Sequence, residues 1–262
     1  MSKNPLLICV TLMMGTAMAL AATEADEPSQ PLGEATPWGK AVIEDNELHL
    51  HIDQWPTSDH LSIPRLNNPL VSLRLEGEKT RELSVDPEVQ RWTIDLGGEP
   101  PRSGKGVVII ELEGPVHVAD GPRLVQQDAE GGPVTLAAHD AMTHGETLRY
   151  EPQPHKNTLG YWLDTEDWAQ WEVAITQPGR YRVIIQQGCG EGHGGSEAVL
   201  TIAGQKLTFN VEDTGHFQNF IEREIGYVTI REAGNHELAA KALRKATLAV
   251  MDLRMIKLEP VE

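Results

Sequence analysis

Cysteine is scarce: Cys9 and Cys189 are the only two in 262 residues. Basic residues are also few. Lys and Arg number 22 against 39 Asp and Glu, a formal charge of −17. Nucleic acid and anionic membrane surfaces are therefore excluded as expected partners, since both demand a basic face. The acidity itself reads as solubility and identifies no ligand. Aromatic residues make up 5% of the chain, as six Trp, four Tyr and three Phe, so a local cluster of them stands out. Beyond residue 20 no apolar run reaches the ~20 residues that a membrane-crossing helix needs.

The first 22 residues read as a signal peptide. Lys3 precedes the apolar run Pro5 to Leu20, and Ala17, Ala19, Ala21 and Ala22 supply small-residue cleavage sites before polarity rises at Thr23. Export to the periplasm, cell surface or medium is expected. Cleavage removes Cys9, so Cys189 is left without an internal partner and the cores must hold the chain together unaided.

Residues 23–35 are acidic and carry prolines without periodicity, which predicts a flexible linker, with order beginning near Trp38. Residues 36–118 hold short β-type runs separated by turn signals: GKAVIE, ELHLHI, HLSIP, LVSLRLE, ELSVD, RWTIDL and VVIIELE. That pattern predicts a β-sandwich. Residues 119–133 (ADGPRLVQQDAEGGP) read as a second linker. Residues 134–262 resume the pattern with about ten candidate strands, as expected for a jelly roll. The segment Leu238 to Val250 has helical propensity, but it sits in a β series and the following MDLRMIKLEP alternates, so strands joined by a turn are predicted. The expected fold class is all-β, with two tandem sandwiches.

These residues carry two resemblances. The segments TPWGKAVIEDNELHLHIDQWP, LSIPRLNNPLVSLRL and VVIIELEGP resemble the C-terminal β-sandwich of family 29 α-L-fucosidases. In that family the chemistry belongs to a barrel ahead of the sandwich, and no such barrel is encoded in this sequence. The segments LGYWLDTEDWAQWEV, GCGEGHGGSE, VEDTGHFQNF and AVMDLR are similar to galactose-binding-like jelly rolls of carbohydrate-binding families 6 and 35, and to a domain appended to planctomycete-type secreted sulfatases and glycosidases.

Saccharide sites pair an exposed aromatic with a few orienting polar groups. Tyr161, Trp162, Trp168 and Trp171 lie within eleven residues. Alternation in WAQWEVAI places Trp171 in the core with Val173 and Ile175. Alternation in TLGYWL sets Trp162 opposite Leu159, Tyr161 and Leu163, which predicts Trp162 as the platform. The resemblance to family 6 implies a rim cleft formed near Trp162, near Phe217, and near Asp252 or Arg254. His216, Gln218, Asn219, Glu191 and His193 are expected on the same rim.

Other chemistry is less well supported. The family's calcium site would fall on LAAHDA, where Ala137 and His139 replace carboxylates and leave Asp140 alone. His49 and His51 share a strand face pointing to solvent, and His193, His216 and Cys189 lack metal-ligand spacing, so no metal and no cofactor are expected. The sequence singles out no catalytic carboxylate pair. The expected function is non-catalytic glycan binding, accessory to the degradation of a fucosylated or sulfated polysaccharide. The alternative is an interaction subunit, or barrel-less remnant, that docks on a separately encoded glycosidase or sulfatase, for which a broad apolar patch on the sandwich would speak. A buried, strongly perturbed carboxyl in a cleft would instead point to an enzyme.

Overall fold

The computed structural model describes residues 30–261. The expected leader and most of the acidic linker lie outside the described residues. Among the described residues no helix is long and apolar enough to cross a membrane. The fold is all-β, and among the described residues the one helical element is a single 3-10 turn, Ala138–Asp140.

The first sandwich has seven strands: β1 (Gly39–Glu44), β2 (Glu47–Ile52), β3 (His60–Pro64), β4 (Leu70–Leu75), β5 (Ser84–Pro87), β6 (Arg91–Asp95) and β7 (Gly106–Leu112). One sheet runs in the order β1-β2-β7-β4 and the other in the order β3-β6-β5. The period of two in ELHLHI sends Leu48, Leu50 and Ile52 inward, each at most 2% exposed. They join Leu61, Ile63, Trp92 and Ile94 of the other sheet in the core. His49 and His51 take the outer face, as expected, and His49 pairs with Glu47 at 2.8 Å. The two-residue turn Asp45–Asn46 closes the β1–β2 hairpin with Asp45 at φ 55, the left-handed conformation that such tight hairpins require.

Two segments expected to be linkers are partly built into the structure. Leu32 is 2% exposed in the core, and Arg91 donates two hydrogen bonds to the Glu34 carboxylate. Order therefore begins ahead of Trp38, because one leucine and one acidic residue within a polar stretch are enough to anchor it. Residues 119–133 contain β8 (Leu124–Gln126), which pairs in parallel with a strand of the second sandwich. The buried Gln127 side chain accepts hydrogen bonds from the Thr176 and Gln177 backbone N–H groups.

The second sandwich is a jelly roll. Its remaining strands are β9 (Val134–Ala137), β10 (Met142–His144), β11 (Arg149–Glu151), β12 (Thr158–Gly160), β13 (Trp168–Ile175), β14 (Gly179–Cys189), β15 (Glu197–Ile202), β16 (Gln205–Asn210), β17 (His216–Ile230), β18 (Gly234–Arg244) and β19 (Asp252–Val261). One sheet has the order β10-β13-β18-β15-β16 and the other β11-β12-β19-β14-β17, with β8 and β9 added to β13 and β19. Leu238 to Arg244 is strand rather than helix. Its alanines Ala240 and Ala242 pair with Leu200 and Ala198 of β15, because a central strand flanked by β13 and β15 favours pairing over intrinsic helix propensity. Trp171 is fully buried, as expected.

The two sandwiches meet at Arg65. Its guanidinium is almost completely buried, donates to Thr143 Oγ1 (2.9 Å) and the Ala141 carbonyl (2.6 Å), and lies 5.7 Å from the Tyr150 ring centroid. Burial without a carboxylate partner lowers its pKa to about 10. Leu70 N–H donates to the Pro152 carbonyl and Gln153 Nε2 to the Val85 carbonyl, so β11 and the turn after it are fixed against the first sandwich. That turn carries one side of the cleft described next.

Candidate ligand-binding site

A cleft of about 230 Å³ opens at the rim of the jelly roll, lined by Glu151, Lys156, Tyr161, Leu163, Phe217, Gln218, Leu248, Ala249 and Asp252. Four stretches of chain converge there. β11 and its turn bring Glu151 and Lys156, the segment after β12 brings Tyr161 and Leu163, the start of β17 brings Phe217 and Gln218, and the loop into β19 brings Leu248, Ala249 and Asp252.

Tyr161 stands where the sequence placed Trp162. β12 ends at Gly160 and Tyr161 adopts φ 55, a left-handed conformation that costs a side-chain-bearing residue about 1–2 kcal/mol. That one dihedral breaks the strand alternation. Tyr161 turns outward and is 44% exposed, whereas Trp162 falls into the core at 0%. The Trp162 indole donates its N–H to the Asp167 carbonyl at 3.0 Å and offers no face to solvent, which corrects the expectation that it forms the platform. The Arg149 guanidinium lies over the Tyr161 ring, 3.5 Å from its centroid.

The loop that holds Tyr161 is organised by Asp167. Its buried carboxylate accepts hydrogen bonds from the backbone N–H groups of Glu146, Thr147 and Leu148 and from the Thr147 hydroxyl, all at 2.5–2.9 Å. Burial alone would raise its pKa, but these four donors hold it below the ordinary aspartate value. Thr147 Oγ1 in turn accepts the Leu163 N–H.

Across the cleft Phe217 packs on glycine backbone. A Cβ on Gly190 would come within 2.6 Å of the Phe217 ring, so the glycine-rich GCGEGHGG loop gives the aromatic room to lie flat. His193 tilts against Phe217 with centroids 5.5 Å apart and shares a 2.8 Å hydrogen bond with the Thr247 hydroxyl, next to Leu248. A register shift of β14 against β17 between Gln187 and Cys189 is the kind of bulge that re-aims side chains at a sheet end.

The floor of the cleft holds two carboxyls. Glu151 and Asp252 are 3% and 5% exposed. A Cβ on Gly160 would lie 2.3 Å from Glu151 Oε2 and 3.3 Å from Asp252 Oδ1, so only glycine lets both groups approach the same point of backbone. Lys156 Nζ pairs with Glu151. Asp252 Oδ2 is buried with no hydrogen-bond partner. Burial and then the adjacent Glu151 push the Asp252 pKa up to about 8, against the pull of Lys156, Gln218 and Arg254. At neutral pH the floor therefore carries Asp252 as a neutral carboxylic acid beside the Glu151–Lys156 pair.

Of the residues expected on the rim, Phe217, Gln218 and Asp252 line the cleft. Arg254 does not: its guanidinium donates to the His155 and Lys156 carbonyls and stacks on Phe220. The exposed His216 accepts the Gln218 N–H at Nδ1, and the exposed Glu191 stands on the glycine loop outside the cleft. Asn219 donates to the Thr214 carbonyl. No group of His, Cys, Asp or Glu suited to a metal ion occurs among the described residues. Cys189 is buried, and that burial raises its thiol to about 11, which keeps it unreactive at neutral pH.

No protein-family model matches the chain, and no curated protein matches it. Solved structures with similar architecture include an α-L-fucosidase from Vibrio sp. strain EJY3, at 19% identity and TM-score 0.35. That match takes in 88% of this chain and 41% of the fucosidase, so the chain spans less than half of that structure. A family 35 carbohydrate-binding module from Clostridium thermocellum aligns at 18% identity and TM-score 0.40, over 49% of this chain and 98% of the module. The C-terminal family 6 module of a laminarinase from Zobellia galactanivorans aligns at 16% identity and TM-score 0.40, over 48% of this chain and 98% of the module.

Proposed function

We propose that this is an exported, non-catalytic glycan-binding protein whose jelly-roll rim cleft grips a sugar, accessory to polysaccharide degradation. The observation that carries the reading is the exposed Tyr161 ring, held in a strained left-handed conformation opposite Phe217. Backbone strain retained at an exposed aromatic in a cleft supports a ligand-binding role for that ring. Tyr161 and Phe217 offer apolar faces for sugar C–H groups, and Gln218, Asp252 and Lys156 offer hydrogen bonds to its hydroxyls. A Tyr161→Asn variant tests this. Asparagine tolerates φ 55 but loses the Arg149 contact, so the fold should be destabilised by no more than about 1 kcal/mol. On a glycan array its signal should fall to background, while an unchanged binding profile would remove Tyr161 from the site.

The Glu151 and Asp252 pair favours hydrolysis as a second reading, since a carboxyl kept neutral beside a second carboxyl is an arrangement that glycosidases use. Against it, Glu151 is tied to Lys156 and packed on Gly160, so it is not presented to a ligand as a nucleophile.

In the first sandwich the large exposed apolar side chains among the described residues are Ile43 and Val71, on the opposite edge strands β1 and β4. They form no continuous patch, which favours sugar binding over docking on a partner through that module.

A further inference from the structure

The cleft is unevenly divided, and the division selects among sugars. This inference rests on the glycan-binding reading above. The apolar lining of the cleft is Leu163, Leu248 and Ala249, together with the Tyr161 and Phe217 rings. Leu248 is 67% exposed in the loop before β19 and shares that lining with Leu163 and Ala249. On the floor are two carboxyls and a single ammonium, and that ammonium is already paired with Glu151. No free cation lines the cleft among the described residues.

Each half excludes a class of ligand. An acidic sugar would bring a negative charge beside Glu151, where the one cation that lines the cleft among the described residues, Lys156, is already paired. A fully hydroxylated hexose would lay a hydroxymethyl group against leucine and alanine side chains, which offer its hydroxyl no partner. A methyl group in the same place gains contact and loses nothing.

We propose that the cleft takes a neutral glycan whose terminal sugar presents a methyl group to Leu163, Leu248 and Ala249, and that it rejects uronate and sulfate esters. The methyl has two sources with the same chemistry: C6 of a 6-deoxyhexose, or the acetyl of an acetamido sugar.

The test uses immobilised conjugates in matched pairs, read by surface plasmon resonance on the full mature chain. L-fucose is set against L-galactose, which differs only at O6, and N-acetylglucosamine against glucose, with glucuronic acid as the charged member. In at least one pair the methyl-bearing sugar should bind about tenfold or more tightly than its partner, the scale of a single apolar-group discrimination. The pair that discriminates identifies the source of the methyl, and glucuronate should bind no better than glucose. Leu248→Ser, a change at an exposed loop position, should cut the ratio to about threefold or less while both sugars still bind. Equal affinities in both pairs, or preference for glucuronate, would overturn the inference and leave sugar binding standing. Silence on every conjugate would overturn it as well, and the Tyr161→Asn array then decides whether the broader reading falls too.

Discussion

Replacing Asp252 by asparagine is expected to stabilise the folded chain at alkaline pH, by on the order of 5 kcal/mol near pH 9, and to change little near pH 4. Asp252 titrates near 3.8 when unfolded and at about 8 when folded, because the fold desolvates it beside Glu151. A carboxyl whose folded pKa is raised contributes fully below the unfolded value, and that contribution is lost as pH rises toward the folded one. Stability of the parent should therefore decline between about pH 4 and 8, whereas asparagine, of nearly the same shape and without a charge to form, escapes the decline. Urea unfolding of both proteins across that range checks it. A gap that does not widen with pH, or an asparagine variant weaker than the parent at pH 9, would contradict it. A carboxyl found to weaken the fold above pH 4 while lining a cleft would support the proposed role of Asp252 in ligand contact.

Asp167→Ala acts in the opposite direction. It leaves three backbone N–H groups and the Thr147 hydroxyl without their acceptor. At about 1–3 kcal/mol for each unsatisfied buried group, offset where water enters, a loss of on the order of 4 kcal/mol is expected. The damage reaches the cleft, since Thr147 orients Leu163. Asp167→Asn keeps one acceptor oxygen and should fall between the two. Because these donors hold the Asp167 pKa below its unfolded value, its contribution is present above that value and lost as pH falls through and below 3.8. Denaturant melts of the three proteins at neutral pH measure the order, and a loss below about 1 kcal/mol in the alanine variant would show that the loop is held by other contacts.

How far the sequence discloses this molecule depends on the kind of residue asked about. ELHLHI and WAQWEVAI announce their inward faces because a strand's period of two is strict wherever one face is buried. Phe217, Gln218 and Asp252 were legible through resemblance to known jelly rolls. Tyr161 and Trp162 exchanged roles because a single positive φ, which no local composition signals, reverses which side chain points out. Glu151 and Lys156 were missed because RYEPQPHK looks like an ordinary polar turn, and its place in the cleft depends on pairing of β11 with β12 and β12 with β19. Leu248 was hidden in a segment read only for its secondary structure. Leu32 and β8 show that a polar, proline-bearing stretch can still be anchored by one or two apolar residues.

The most direct test is hydrogen exchange of the mature chain with and without the glycan that binds best on the array. Protection is expected in three separate stretches, residues 156–163, 216–219 and 247–252, each of which lines this cleft. Protection confined to the first sandwich or to the open sheet faces, with these three stretches unchanged, would contradict the assignment of the site.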